Sequence, residues 1–525
     1  MKIKAILLFM AFIISAVLIG GCIQNEGSVG PVQPTTVIPP SSQAPIVTTD
    51  AGSISGIQQG NLRVFHSVPF ASPPVGDLRW RPPVPVEPWT GVRDGTLYSP
   101  APPQPITPDP TTGIPVMSED CLYLDVWTPT KNADEKLPVM VFFHPGAFGI
   151  VAPAGTMAVY NGTGLAEQGV VIVTPAYRLG ALGFLAHPQL NAESPHNCSG
   201  NYGIMDQVAA LEWVQRNIGA FGGDPEQVTI FGESAGGVSV TIHLASPGSK
   251  GLYKQALVES GPYWTNGPTI NIIHTKADAE EFGQEYAASL GFSGPDEIQQ
   301  MRNVSVKDII DATPWPESAW HNTHSLEFVP NIDGYILSDS VNTIFSLRNQ
   351  NPVPFIIGSN ADDGKTLSDD ADMSVAEYES LIRDFFGTEA DHVFARYPAE
   401  SPEEVQIRLK EIMTDVDFAY SAKFAAESMA DLSPDTYLYR YSYVVPNAYG
   451  QEHGAFHGSE TLLLFGLGPA MNADPFVTDT LIEAWTRFAK TGNPNGGSMI
   501  PWPQYTQQTG KYLDIDSPLS VKTGY

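Results

Sequence analysis

Val228-Thr229-Ile230-Phe231-Gly232-Glu233-Ser234-Ala235-Gly236-Gly237 is the stretch whose reading decides the fold. Its first four residues are β-branched or aromatic and predict a short buried strand. The residues from Ala235 onward predict a helix. Between the two lies Gly232-x-Ser234-x-Gly236, the pattern of a sharp strand-to-helix turn that holds a serine at its tip. Glycine on either side relieves the crowding that such a turn creates. In a chain with 48 glycines the pentapeptide alone is weak, and a serine that merely caps a helix is the competing reading.

The flanking sequence supplies the context. Residues 138–143 (PVMVFF), 170–174 (VVIVT), 228–231 (VTIF) and 355–357 (FII) are short apolar runs of the kind that form buried parallel strands. Residues 206–218 predict a helix, because Val208, Leu211, Val214 and Ile218 recur every three or four positions and share one face. Strands alternating with helices predict an α/β protein: a large, mostly parallel, twisted central sheet flanked by helices. From residue 46 to residue 525 there is no internal repeat and no second low-complexity linker, which predicts one large catalytic domain.

A serine hydroxyl is a poor nucleophile at neutral pH. It needs a base, a group that orients the base, and N–H donors where negative charge develops. One such donor is the residue after the serine, Ala235. Others are expected in a turn after an earlier strand, and residues 141–148 (VFFHPGAF) fit that place and resemble the His-Gly-Gly-Gly turn of esterases and lipases. Pro145 has no N–H, which leaves Gly146 and Ala147 as donors.

Composition narrows the function classes. The formal charge is −30, with 57 acidic against 27 basic side chains, so the chain repels phosphate backbones and no nucleic-acid partner is expected. Three cysteines (Cys22, Cys121, Cys198) exclude a disulfide-rich scaffold and a four-cysteine zinc site. No metalloprotease, P-loop or dinucleotide motif occurs, and neither a metal nor a cofactor is expected.

The N-terminus reads as an address. Residues 1–21 carry Lys2 and Lys4, an apolar run and Gly20-Gly21, a signal-peptide pattern too short for a comfortable membrane span. Ile19-Gly20-Gly21-Cys22 resembles the lipobox of prokaryotic lipoproteins, which makes Cys22 the lipidated residue. Residues 22–45, rich in Pro, Ser, Thr and Gln, predict a disordered tether, followed by the folded domain at 46–525. The expected location is the outer face of the cell membrane, held only through the lipid anchor at Cys22; ordinary secretion is the alternative.

From about Val47 to Trp502 the chain resembles the type-B carboxylesterases of the α/β-hydrolase fold. The blocks that carry the resemblance are Val68-Pro69-Phe70-Ala71, Leu78-Arg79-Trp80, Glu119-Asp120-Cys121-Leu122-Tyr123-Leu124-Asp125-Val126, Gly200-Asn201-Tyr202-Gly203, Phe221-Gly222-Gly223-Asp224-Pro225 before the elbow, and Phe488-Ala489-Lys490-Thr491-Gly492-Asn493-Pro494. Asp125 stands where the family usually has Asn. The resemblance implies an ester hydrolase acting on a small-molecule ester, with Ser234, Asp363 and His457 in the chain order of this fold. His457 is favoured over His453 because His457-Gly458-Ser459-Glu460 matches the family's His-Gly-x-Glu. Asp363 is the second acid of Asp362-Asp363-Gly364, where the family usually has Glu; the aspartate is one methylene shorter, about 1.5 Å of reach, and Asp362 is the competing residue. Ser260 is implied to support the acid from behind. Arg79 is implied to pair with Glu119 and Arg178 with Asp206.

Two departures matter. The family's usual upstream partner for Cys121 is missing, so Cys121 is either a free buried thiol or joined to Cys198. Between Trp89 and Trp127 the only aromatic residues are Tyr98 and Tyr123; the tryptophan with which cholinesterases hold choline is absent, which argues against a quaternary-ammonium substrate. Residues 180–200 offer no amphipathic lid, which favours soluble esters over lipids. The alternative is a catalytically silent surface binding or adhesion protein on the same fold.

Overall fold

The computed structural model describes residues 44–105, 116–151, 157–263, 270–313, 326–367, 373–497 and 499–525. The expected export signal, Cys22 and nearly all of the expected tether lie outside the described residues. Among the described residues, no helix is long and apolar enough to cross a membrane.

An eleven-stranded sheet forms the frame. Its strands are β1 (Ile57–Gln59), β2 (Leu62–Pro69), β3 (Tyr123–Thr128), β4 (Leu137–Phe143), β5 (Val171–Pro175), β6 (Gly223–Glu233), β7 (Gln255–Glu259), β8 (Phe355–Asn360), β9 (Thr436–Tyr441), β10 (Lys511–Ile515) and β11 (Ser520–Thr523). Their spatial order is β11-β10-β9-β8-β7-β6-β4-β5-β3-β2-β1. Every pairing from β10 across to β5 is parallel; the outer pairings are antiparallel. The central strands are buried on both faces, as β6 shows with Val228, Ile230 and Phe231 all inaccessible, and this is why they read as unbroken apolar runs. The mostly parallel sheet expected from sequence is present. β6 starts five residues before the apolar run, because Gly223 already pairs with Leu137 of β4.

The helix expected over 206–218 is α1 (Tyr202–Asn217), which starts a turn earlier and ends with Ile218 as its C-cap. Leu211, Val214 and Ile218 are buried, and Val208 is half-buried at the margin of that face. Helix α2 (Ala235–Ala245) follows β6 after the single residue Ser234 and is buried along its whole length. A satellite core follows β8. Helices α3 (Val375–Phe386) and α4 (Pro402–Ile412) bury Tyr378, Ile382, Val405, Leu409 and Ile412 against one another.

Both implied arginine pairs are present and forked. Arg79 donates through Nε and Nη2 to the two oxygens of Glu119, each at 2.7 Å. Arg178 donates through Nε to Asp206 Oδ2 at 2.8 Å and through Nη2 to Oδ1 at 2.7 Å. Arg178 also donates through Nη1 to the carbonyl of Arg81 at 2.8 Å, which ties the loop after β2 to α1. Cys121 and Cys198 are both free and buried, so the linked alternative does not occur, and burial pushes the Cys121 thiol well above its ordinary pKa.

Arg178→Met should leave Asp206 buried without a partner and destabilise the protein by about 3–5 kcal/mol in denaturant unfolding. Arg216→Met, which breaks the exposed pair of Arg216 with Asp50, should cost at most about 1 kcal/mol. Equal losses in the two variants would contradict this account.

Candidate active site

The five central strand ends lie in register. Phe143 is level with Gly232, Glu233 with Glu259, Glu259 with Gly358, and Asn360 with Tyr441. The turns that leave these ends therefore emerge side by side at the carboxyl edge of the sheet, where open α/β sheets build their sites.

Ser234 occupies the tip of the first turn. Its backbone is left-handed, with φ 55° and ψ −122°, a conformation that a non-glycine residue holds only under constraint from its surroundings. Its N–H donates to the carbonyl of Glu259 at 2.9 Å. The constraint is close packing: a Cβ on Gly236 would lie 1.9 Å from the Phe143 carbonyl oxygen, and one on Gly232 would lie 2.6 Å from the Gly236 backbone. Ser234 precedes α2 but makes no side-chain capping bond. The capping alternative therefore fails, and the hydroxyl is left for other work.

Asp363 and His457 meet at this edge. His457 Nδ1 lies 2.7 Å from Asp363 Oδ1. Asp363 is fully buried, and its other oxygen, Oδ2, accepts from the Asn360 N–H at 2.7 Å and from Ser260 Oγ at 3.0 Å. With Oδ2 so occupied, Oδ1 is the oxygen that faces Nδ1 of His457. Among the described residues His457 Nε2 has no hydrogen-bond partner; it lies 3.2 Å from Glu233 Oε1, beside the elbow. The Phe418 ring packs on the imidazole at 5.0 Å.

The competing residues are placed elsewhere. Asp362 accepts from the Ala455 N–H at 2.8 Å and pairs with Lys365, so it secures the loop before the histidine without touching the ring. His453 packs on Tyr449. Ser260 donates to the Asp363 oxygen that does not face His457.

The turn after β4 is shaped by three successive left-handed residues, Gly146 (φ 117°), Ala147 (φ 51°) and Phe148 (φ 59°). Only glycine fits at 146, where a Cβ would meet the Ile150 carbonyl oxygen at 2.1 Å. The turn is pinned by the Gly180 N–H on the Phe148 carbonyl at 2.8 Å and by Gln104 Oε1 accepting from the Val151 N–H at 2.9 Å. His144 is inaccessible and stacks on Tyr177 at 4.1 Å; burial lowers its pKa to about 4. It is a neutral wall of the turn.

The sequence matches the carboxylesterase family over residues 43–525. The chain belongs to that family. It is 33% identical to the fumonisin B1 esterase of Sphingopyxis macrogoltabida, over 91% of this chain and 87% of that protein. It is 34% identical to the para-nitrobenzyl esterase of Bacillus subtilis (strain 168), over 91% of this chain and 96% of that protein. A solved structure titled PNB esterase superposes with a TM-score of 0.78 at 32% identity, covering 91% of this chain and 97% of that one. The protein is thus an α/β-hydrolase-fold carboxylic-ester hydrolase.

Sequence reasoning gave no role to the carboxyl groups that surround the site of this esterase. Glu233, Glu259 and Glu460 are all buried at the carboxyl edge. Trp485 Nε1 donates to Glu259 Oε1 at 2.5 Å, and Thr461 Oγ1 donates to its Oε2 at 3.2 Å. Burial pushes Glu259 up to about 7 against these donors. Burial, then Asp363 and Glu259, push Glu233 well above the usual carboxylate range; burial, then Glu259, Glu233 and Asp363, do the same to Glu460. The available signal was acidic residues within otherwise apolar strands and motifs.

A raised folded-state pKa means that Glu259 contributes stability below about pH 4.5 that is lost as pH rises through about 7. Glu259→Gln, which retains an acceptor for Trp485, should remove that part of the pH dependence. Thermal melts between pH 4.5 and 8 should show the variant gaining on wild type by up to about 3 kcal/mol. A difference that does not change with pH would refute the buried-acid account.

Proposed function

We propose that Ser234, His457 and Asp363 hydrolyse small or medium soluble carboxylic esters through an acyl-enzyme, on a chain anchored outside the cell through Cys22. The observation that supports this reading is the 2.7 Å contact of Asp363 with His457, whose other ring nitrogen lies 3.2 Å from Glu233, the residue before the strained Ser234.

In this mechanism His457 Nε2 takes the Ser234 proton as Oγ attacks the ester carbonyl carbon. Asp363 holds the ring in the tautomer that leaves Nε2 basic and stabilises the imidazolium that forms. The N–H groups of Gly146, Ala147 and Ala235 hold the oxygen on which negative charge develops. Collapse of the tetrahedral intermediate expels the alcohol, which takes its proton from His457. Water, deprotonated by the same nitrogen, then releases the acid.

A preference for soluble esters draws support from residues 180–200. Helix Gly180–Phe184 is buried throughout, and Pro188–Glu193 is held through Asn191, which donates to Glu280 at 2.7 Å. Neither is built as a lid that opens at a lipid surface. The surface-anchor reading rests on the basic start, the apolar run and the Ile19-Gly20-Gly21-Cys22 sequence.

Ser234→Ala should abolish turnover of nitrophenyl esters and acyl-enzyme formation; retained hydrolysis would refute the nucleophile and revive the binding-protein reading. Asp363→Asn should lower kcat by about 10³–10⁴-fold, and Asp362→Asn by no more than about tenfold. The reverse order would move the acid. An acyl-chain series should favour short chains without interfacial activation. Cys22→Ser should move the protein from the membrane to the soluble fraction, and unchanged fractionation would rule out the lipid anchor.

A further inference from the structure

Asn360 is the last residue of β8 and is almost fully buried. Its main chain and side chain serve the two halves of the site separately. The backbone N–H donates to Asp363 Oδ2 at 2.7 Å, closing a three-residue turn that aims the other oxygen at His457. The side-chain Nδ2 donates to the Phe456 carbonyl at 2.9 Å and makes a close hydrogen bond with Glu460 Oε2. Ser459 Oγ lies farther off, at 3.5 Å. Phe456 immediately precedes His457, and Glu460 follows it by three residues. One NH2 group therefore bridges the histidine on both sides. A carbonyl can only accept, so the Phe456 contact fixes which way the amide faces. Among the described residues Oδ1 is buried without a partner, and the donated bonds are what the amide supplies.

We infer that Asn360 is a positioning residue that locks the acid-bearing turn to the histidine-bearing loop and so sets the contact between Asp363 and His457. The inference rests on the proposed Ser234–His457–Asp363 assignment. No other amino acid meets the requirement: two donors, at this reach, carrying no charge. Aspartate would turn two donors into acceptors facing a carbonyl and a carboxyl group. Serine would fall short of both partners. The backbone N–H to Asp363 survives either substitution, so the amide bridge alone is removed. The titratable groups facing this position are Asp363 from the turn that follows, His457 and Glu460 from the histidine loop, and Tyr441, level with Asn360 on β9; Glu259 stands at the end of the neighbouring β7, and Glu233 one strand farther, on β6.

The test compares Asn360→Asp with wild type by kcat and KM on a nitrophenyl ester across pH, with a thermal melt to establish folding. We expect kcat to fall about 10–100-fold, the scale of a small misplacement of a reacting group, with KM nearly unchanged. The ratio of variant to wild-type kcat should rise as pH falls, because the introduced carboxyl group regains one donor when it is protonated. If Asn360→Asp does not fold, Asn360→Ser, which removes the donors without adding a charge, carries the same test through its kcat against KM split. A folded variant with wild-type kcat and pH profile overturns the inference and leaves the triad standing. Retained turnover in Ser234→Ala would instead overturn the triad, and the two failures are separate readouts.

Discussion

The constraint on which the rest depends is the register of five parallel strands. Because Gly232 is level with Phe143, and Glu259 with both Glu233 and Gly358, the turns after β4, β6, β7 and β8 leave the sheet at one height. Parallel pairing does not permit a gradual slip: a one-residue shift would send each following side chain to the opposite face. Nucleophile turn, donor turn and acid turn are thus placed by backbone hydrogen bonds remote from any chemistry. The histidine arrives on a longer connection after β9, held to the acid turn by a single parallel bridge in which the Asp362 N–H donates to the Ala455 carbonyl at 3.1 Å. Side chains add to it: Asp362 on the Ala455 N–H, Asn360 on the Phe456 carbonyl, and Phe418 against the ring.

Close packing turns that register into strain at one residue. The elbow needs Gly232 and Gly236 because backbone atoms of β4 and α2 occupy the space where a Cβ would stand. With both glycines in place, the left-handed conformation falls on Ser234. Its N–H is occupied by Glu259 and its hydroxyl is released from capping α2. The strain is sustained by β4, β7 and α2, none of which has to move during a reaction, which is the form that preorganisation takes in a rigid scaffold.

Much of this was legible from residues alone. Apolar runs bounded by turns gave the central strands because burial on both faces leaves a one-dimensional signature. The elbow glycines were readable since a close approach admits only one residue type. The choice between Asp362 and Asp363 was harder, since adjacent aspartates have the same chemistry and differ only in direction, which β8 sets. The satellite helices α3 and α4 carry helical apolar spacing of their own, Val375, Tyr378 and Ile382 in one and Val405, Leu409 and Ile412 in the other, but these residues pack on each other rather than on the sheet, so the spacing does not place them in the frame. Asn360 was inconspicuous for a different reason. A buried amide has no spacing or periodicity of its own, and its importance lies in two acceptors nearly a hundred residues away.

The acids around the site raise a question of charge. Asp363, Glu233, Glu259 and Glu460 are buried together, and among the described residues no lysine or arginine pairs with any of them. Ionised carboxylates buried together repel one another, and this repulsion adds to burial in pushing Glu233 and Glu460 upward. The donors are distributed unequally. Asp363 takes bonds from Ser260, the Asn360 N–H and His457, whereas Glu233 and Glu460 each keep one oxygen without a partner. The donors therefore gather on the aspartate, while burial pushes Glu233 and Glu460 well above the usual carboxylate range. That division sets a carboxyl group rich in hydrogen bonds at Nδ1 of His457, and beside Nε2 an acid that burial biases toward its uncharged form.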